Sequence, residues 1–290
     1  MKYKNLIQMT AVFSVLMMAI SCQSVNNVPS KSNNLFTSIL GKTEAEVQAR
    51  IDSLWQHFFT PGDLSRYEAD VEQTVYYEVG DSMGIILDTG NNDVRTEGMS
   101  YGMMISVQLD KRDIFDRLWR WSKRYMAYPA DSPWDGYFCW QCKPDGTPFG
   151  QSNASDGEIY YVTSLFLAAD KWNEPAYAQE ANTILHKVMS KDGKQTGVYN
   201  LFDVETKLVT FCPTEEVHWF SDPSYCLPAF LDLWAEKADT MNSFWHEAAA
   251  KARWLLEASS NSQTGLFPDY CLFDGKPYQW PQAAYNTARY

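Results

Sequence analysis

The chain has 290 residues, and its 36 acidic side chains outnumber its 24 basic ones, which gives a formal net charge of −12 at pH 7. Nucleic-acid phosphate and an anionic membrane surface would repel such a protein, so neither is an expected partner. Aromatic residues make up 15% of the sequence. Their flat apolar faces and polar edges suit a neutral ligand such as a sugar ring, although any single aromatic side chain is more often part of the core.

The first 22 residues have the features of a bacterial lipoprotein signal peptide. Lys2 and Lys4 supply positive charge, residues 6–20 form a short apolar stretch, and Ala19-Ile20-Ser21-Cys22 is similar to a lipoprotein cleavage site. We expect export to the periplasmic or cell-surface side of a bacterial membrane, with a lipid on Cys22 as the only membrane attachment. The alternative is an ordinary secretory peptide with an incidental cysteine.

Residues 23–42 begin with a stretch rich in Ser and Asn and are expected to form a flexible tether. A first helix is then predicted from Thr43, because Thr43 and Glu46 have the spacing of a capping box. Apolar residues recur along this helix at helical spacing, and we expect them to form one buried face. These residues are Val47, Ile51, Leu54, Trp55 and Phe58.

Six more helices are predicted from apolar residues at helical spacing. The first two run through Met103 to Val107 and through Ile114 to Tyr125, and the others cover residues 157–172, 176–189, 223–235 and 243–258. Paired helices joined by loops that contain Gly and Pro predict an all-α protein and fit an (α/α) barrel. A smaller helical solenoid is the alternative, but no repeat of fixed length supports it.

Five cysteines follow Cys22, an odd number, and we expect buried free thiols. Cys139 and Cys142 have the spacing of a redox motif, but no strand-then-helix pattern surrounds them, so redox catalysis is not expected. The four histidines show no metal-ligand spacing, and no Gly-rich phosphate loop occurs. The sequence therefore implies no cofactor and no metal.

The most informative stretch is Asp93-Val94-Arg95-Thr96-Glu97-Gly98-Met99-Ser100-Tyr101-Gly102-Met103-Met104. It places Glu97 among apolar and aromatic residues where a helix is predicted to begin. Burial in such a place raises the pKa of a carboxyl group, which a glycosidase needs in a catalytic acid, whereas the charge of Arg95 lowers it. The alternative role for Glu97 is a favourable interaction with the helix dipole.

This stretch and several others are similar, in the same order, to glycoside hydrolase family 8, and especially to reducing-end xylose-releasing exo-oligoxylanases. The resemblance runs from about Glu44 to the last residue. The further matching segments are Tyr76–Asp81, Asp113–Trp119, Gly136–Trp140, Ser155–Glu158, Ser221–Pro228, Pro268–Tyr270 and Phe273–Gly275.

The resemblance implies a six-hairpin (α/α)6 barrel, in which an inner ring of helices presents residues to a cleft at one end. That barrel needs twelve helices, and seven or eight are predicted here. We therefore expect residues 43–290 to be a partial catalytic domain, truncated at the C-terminus, and to be monomeric.

The family's acid corresponds to Glu97, and Asp156 resembles the carboxylate of the subsite before the cleavage point, which holds the sugar ring and the attacking water. An N-cap role for Asp156 is equally open. Glu158 is expected to be solvent-facing or structural.

Aromatic positions that line the family's sugar subsites are matched by Trp140 and Tyr225. Arg95 and Tyr101 flank the acid, so they could position it and bind substrate. Simple packing is the alternative for each of these four residues.

In the family, the general base is an Asp in a short motif. Residues 288–290 resemble the segment that leads into that motif, so we expect the Asp to lie beyond the sequence. The resemblance implies an inverting hydrolase of β-1,4-linked xylo-oligosaccharides that releases xylose from the reducing end. An endo-acting xylanase or β-glucanase, or an inactive sugar-binding protein, are the alternatives.

Overall fold

The computed structural model describes residues 34–66, 74–150 and 152–281. The predicted signal peptide with Cys22, residues 23–33 of the predicted tether and residues 288–290 lie outside the described residues. The chain divides into two compact units, residues 1–56 and 57–290. None of the helices in the described ranges has the length and apolar character that a membrane span requires.

In the first unit, a short helix α1 (Leu35–Ser38) lies within the segment expected to be a tether, and a longer helix α2 (Glu44–Phe59) continues into the second unit. The predicted capping box is confirmed. The backbone N–H of Glu46 donates to Thr43 Oγ1 at 3.2 Å, and that of Thr43 donates to Glu46 Oε2 at 2.8 Å.

The expected burial of the apolar face of α2 is wrong for the described residues. Leu54 is 37% exposed and Phe58 39% exposed, and the remaining predicted residues of that face are only half-buried. Phe59, which was not among the predicted residues, is the buried one. The physical reason within the first unit is length, because the four residues of α1 cannot cover a helix of sixteen.

The second unit contains the six helices predicted after residue 96 and a short helix at residues 193–196 that was not predicted. Their bounds are α3 (Thr96–Gln108), α4 (Arg112–Trp121), α5 (Ser155–Trp172), α6 (Pro175–Val188), α7 (Gly193–Thr196), α8 (Pro228–Lys237) and α9 (Asn242–Ser259). A π-helix (Ser122–Met126) extends α4, and 3₁₀ helices cover Leu64–Arg66 and Pro223–Tyr225. The helix expected from Pro223 therefore starts at Pro228, because a separate 3₁₀ turn precedes it.

The long helices of this unit form three hairpins. Helix α3 packs on α4, α5 on α6, and α8 on α9, while α5 also contacts both α3 and α8. Most of α5 is buried, whereas α6 and α9 bury one face only, so α5 lies deeper in this unit than they do. Trp234 joins three of these helices, since its indole N–H donates to Thr163 Oγ1 at 2.9 Å and its ring meets Trp245 edge-on at 5.1 Å.

Short strand pairs hold the loops at the start of these helices. The three antiparallel pairs are β1 (Tyr76–Val79) with β2 (Met83–Ile86), β3 (Val94–Arg95) with β4 (Gln141–Cys142), and β5 (Phe220–Ser221) with β6 (Cys271–Leu272). Strand β3 runs directly into α3, and the Thr96 N–H donates to the Trp140 carbonyl at 3.0 Å. The start of α3 is thereby tied to the loop that carries Trp140.

Gly157 lets the first turns of α3 and α5 approach closely. A Cβ atom at this position would lie 2.6 Å from Thr96 Cβ and 2.7 Å from Thr96 Oγ1. Contacts that short force neighbouring atoms to move, so only glycine fits without a rearrangement. Because Gly157 follows Asp156 and Thr96 precedes Glu97, this approach brings the first turns that carry both carboxylates together.

Glu158 is fully buried, so of the two roles expected for it the structural one applies. Its Oε1 accepts a hydrogen bond from the Phe138 N–H at 2.9 Å, and its Oε2 accepts one from Asn153 Nδ2 at 2.7 Å. One side chain of α5 thus secures two separate loops. Burial raises the pKa of Glu158 to about 8, because water no longer stabilises the charged form.

The five cysteines after Cys22 are all buried and are free thiols, as predicted. Cys139 contacts the carbonyl oxygens of Gln141 and Gly150 at 3.2 and 3.4 Å. The Cys212 thiol contacts Asn153 Oδ1 at 3.4 Å. The Asn153 side-chain amide therefore has a second partner besides Glu158.

We predict that Glu158→Gln flattens the pH dependence of stability. In the folded wild type the pKa of Glu158 is raised from 4.5 to about 8. The stability that Glu158 contributes is therefore fully present below its ordinary pKa of 4.5 and is lost as pH rises through about 8. Denaturant unfolding measured across this range should show a steeper fall in free energy for the wild type than for the variant. Parallel curves would contradict the prediction.

Candidate active site

A cavity of about 630 Å³ opens beside the first turn of α3. This volume is within the usual range for sites that bind small molecules, roughly 300–1,000 Å³. The lining residues are Glu97, Trp140, Ser152, Asn153, Ala154, Phe211, Cys212, Thr214, Glu216, Val217, Asp222, Tyr225, Tyr270 and Trp280.

Glu97 lies in the first turn of α3 and faces this cavity. Its Oε2 accepts a hydrogen bond from Thr96 Oγ1 at 3.3 Å. Burial raises the pKa of Glu97, and the charge of Arg95 opposes that rise, as the sequence predicted. The net direction is upward, so the group holds its proton at a higher pH than an exposed glutamate does.

Two carboxylates hold Arg95 beside Trp140. Its Nε lies 3.0 Å from Asp93 Oδ1 and 3.1 Å from Asp88 Oδ2. Its guanidinium carbon is 5.5 Å from the centre of the Trp140 ring. Arg95 is not among the residues that line the cavity, so it acts on the cavity through Trp140 and through its charge.

Asp156 lies in the first turn of α5 and is only 5% exposed. The N-cap position of this helix belongs to Ala154, so Asp156 does not cap it. Its Oδ2 accepts from the Tyr101 hydroxyl at 3.2 Å, while its Oδ1 has no hydrogen-bond partner among the described residues. Burial, followed by the charge of Glu97, raises the pKa of Asp156 to about 7.

Tyr101 is a neighbour of Asp156 and does not line the cavity. Its ring meets that of Tyr160 edge-on at 4.5 Å, which fixes the direction of the hydroxyl. By donating to Asp156, this hydroxyl stabilises the ionised carboxylate and lowers its pKa. Tyr101 therefore tunes Asp156, and a role in substrate binding stays a prediction.

The two predicted aromatic residues, Trp140 and Tyr225, both line the cavity. Tyr225 stacks on Phe211, with ring centres 6.1 Å apart and planes within 7° of parallel. The negative charges of Asp156, Asp222 and Glu97 each raise the pKa of the Tyr225 hydroxyl further, after burial. Tyr225 is thus near all three carboxylates.

Sequence reasoning missed several lining residues. Phe211 meets Tyr270 at 5.0 Å and Trp280 at 5.3 Å, and these rings build an aromatic wall. Asp222 and Tyr270 lie in segments that matched the family, so the matching could have found them. Phe211 and Trp280 stand in loops without a recognisable pattern, and only their packing places them here.

The structure therefore brings Glu97, Trp140 and Tyr225 to one cavity, whereas Asp156 is not among the residues that line it. In the described ranges, no group of three or more His, Cys, Asp or Glu side chains is arranged to hold a metal ion. Residues 288–290, the predicted approach to the general base, lie outside the described residues.

Comparison with known proteins finds relatives named as exo-oligoxylanases and, at lower identity, relatives named as endoglucanases. The reducing end xylose-releasing exo-oligoxylanase of Halalkalibacterium halodurans is 42% identical over 252 residues, which are 84% of this chain and 61% of that protein. The structure of Rex8A from Paenibacillus barcinonensis complexed with xylose superposes with a TM-score of 0.78 at 38% identity, over 88% of this chain and 65% of that one. Endoglucanase C of Ruminiclostridium cellulolyticum is more distant, at 26% identity.

The chain thus spans about three fifths of the length of the relatives it matches. The matches confirm the predicted all-α class and the (α/α)6 fold to which the three hairpins belong. Residues 80–290 also match the sequence profile of glycosyl hydrolases family 8. The chain therefore belongs to glycosyl hydrolases family 8.

Proposed function

We propose that the protein is an inverting glycoside hydrolase that cleaves β-1,4-linked xylo-oligosaccharides and releases xylose from the reducing end. One observation carries the proposal: a half-buried Glu97 with a raised pKa faces a cavity of sugar size walled by aromatic rings. The relatives that bear this activity in their names are also more similar to the chain than the endoglucanase is.

In this proposal Glu97 is the general acid. Hydrolysis with inversion requires one carboxylic acid to protonate the leaving oxygen while a second carboxylate activates water on the opposite face of the sugar. Burial raises the pKa of Glu97, so it holds its proton at a higher pH than an exposed glutamate, and the cavity gives it access to a glycosidic oxygen. The general base stays a prediction from the family resemblance.

Asp156 would hold the sugar ring and the attacking water. Its Oδ1 is buried and lacks a hydrogen-bond partner among the described residues, which is costly unless a ligand or water supplies one. Its pKa of about 7 leaves a substantial ionised fraction near neutral pH. An ionised carboxylate accepts strong hydrogen bonds from sugar hydroxyls and from water.

Trp140 and Tyr225 would contact the faces of the sugar rings, since aromatic faces pack on the apolar side of a pyranose. The guanidinium of Arg95 lies against Trp140, and its two carboxylate partners fix it there. Arg95 would therefore position Trp140 rather than bind substrate itself.

We also propose that the protein is exported and anchored by a lipid on Cys22, as the signal-peptide features support. We predict that Cys22→Ser moves the protein from the membrane fraction to the soluble fraction of its own cells, because the lipid needs the thiol. Immunoblotting of both fractions measures this. A variant that stays with the membrane would contradict the lipid anchor.

We predict that Glu97→Gln lowers xylose release by at least roughly a thousandfold, because the amide cannot donate the proton to the leaving oxygen. Binding of xylotriose should persist, since the amide has nearly the same shape. The measurement uses the natural-length protein, with chromatography of products and titration calorimetry. Glu205→Gln, an exposed position, is the matched control and should keep full activity.

Unchanged turnover in Glu97→Gln would overturn the assignment of the acid. The product pattern of the wild type tests the rest of the proposal. Xylose as the first product indicates reducing-end release, whereas oligosaccharides of intermediate length as first products would favour an endo-acting enzyme. Binding without hydrolysis would favour the inactive sugar-binding alternative.

We predict that Tyr101→Phe shifts the pH profile of kcat/KM. The Tyr101 hydroxyl lowers the pKa of Asp156, so its loss should raise that pKa above about 7 and move the acidic limb to higher pH. Tyr160→Phe is the control, because its ring contacts Tyr101 and no described hydrogen bond joins it to Asp156. A profile in Tyr101→Phe that coincides with the wild type would show that Asp156 does not need to be ionised.

A further inference from the structure

We infer that Asp222 is a further substrate-contacting residue, which accepts hydrogen bonds from neutral sugar hydroxyls and makes the cavity reject sugars that carry a carboxylate. The inference rests on the proposed sugar substrate. It adds a residue and a specificity to that proposal.

The backbone on both sides of Asp222 is fixed. Strand β5 ends one residue earlier and pairs with β6, with Ser221 opposite Cys271. The 3₁₀ helix Pro223–Tyr225 begins one residue later. A side chain held between a strand pair and a helical turn has little freedom, so the position of its carboxylate at the cavity wall is well defined.

Part of the hydrogen-bonding capacity of the Asp222 carboxylate is open to a ligand. Its Oδ1 accepts from the Ser224 N–H at 2.8 Å, which caps the 3₁₀ helix. The side chain and the backbone N–H of Ser224 both act on the Asp222 carboxylate, and no described ion pair involves Asp222. A carboxylate offers about four acceptor positions, so several remain for hydroxyl donors in the cavity.

Negative charge dominates the cavity wall. Glu216 and Asp222 line it beside the proposed acid Glu97, and none of its lining residues in the described ranges is Lys or Arg. The nearby cation Arg95 is already paired with Asp88 and Asp93. The charge of Asp222 also raises the pKa of Asp156, a carboxyl group that does not line the cavity.

Such a wall treats neutral and acidic sugars differently. Hydroxyl groups donate to carboxylates at no electrostatic cost, whereas a uronic acid would bring a further negative charge close to Asp222. In a partly desolvated cavity one such repulsion weakens binding by on the order of tenfold. The class of ligand that fits is therefore a neutral, unsubstituted xylo-oligosaccharide.

The test is titration calorimetry of the natural-length protein at about pH 8, where the Asp222 carboxyl, with a pKa of about 6, is ionised. The probes are glucuronosyl-xylotriose and its methyl ester, which differ mainly in charge. We expect the wild type to bind the ester about tenfold more tightly than the acid. Asp222→Asn should reduce this ratio to about threefold or less and weaken xylotriose binding, because an amide carries no charge.

Asn keeps the acceptor that caps the 3₁₀ helix, so the variant tests the charge and not the cap. Asp274→Asn is the matched control. Its Oδ1 accepts from the Lys276 N–H at 3.0 Å in the same kind of turn, but it does not line the cavity. This control should keep the wild-type ratio.

Equal affinity of the wild type for acid and ester, or an unchanged ratio in Asp222→Asn, would overturn the inference. Added salt gives a second measurement that needs no variant. Salt should reduce the ratio of ester to acid affinity if charge causes it, and should not change that ratio if shape causes it. A wild type that shows the ratio but hydrolyses no oligosaccharide would contradict the proposed function and leave this inference standing.

Discussion

The close approach of the first turns of α3 and α5 is the constraint on which the site depends. Gly157 provides the space for it, because any side chain there would collide with Thr96. The residues beside this contact are Glu97 and Asp156, so the packing of these two turns partly buries Glu97 and almost fully buries Asp156. Burial then raises the pKa of each, and the charge of Glu97 raises that of Asp156 further. The chemistry of the site thus follows from helix packing.

A helical scaffold alone would leave the cavity wall undefined, since much of the wall consists of loops. Two kinds of polar contact fix these loops. The pair of β3 with β4 ties the loop of Trp140 to the start of α3, and the pair of β5 with β6 fixes the approach to Asp222. The buried Glu158 supplies the other kind, because it holds Asn153 and the backbone of Phe138 from inside α5.

The distribution of charge in the site suits a neutral ligand. Arg95 lowers the pKa of Glu97 but does not neutralise the cavity, because Asp88 and Asp93 hold its guanidinium outside the lining. Acidic side chains and aromatic rings are left at the wall. Carboxylates accept hydrogen bonds from hydroxyls while rings pack on sugar faces, so both features favour an uncharged oligosaccharide.

The sequence by itself determined the helices, the capping box of Thr43 and Glu46, and the importance of Glu97, because periodicity, caps and short motifs are local properties of the chain. Helix pairing was also predictable, since consecutive amphipathic helices bury their faces on each other. Only the tertiary structure decided that Glu158 is buried, that Arg95 is paired away from the cavity, that Asp222 joins the wall and that the face of α2 is left partly exposed. Burial and electrostatic surroundings depend on residues distant in the chain, which local patterns do not specify.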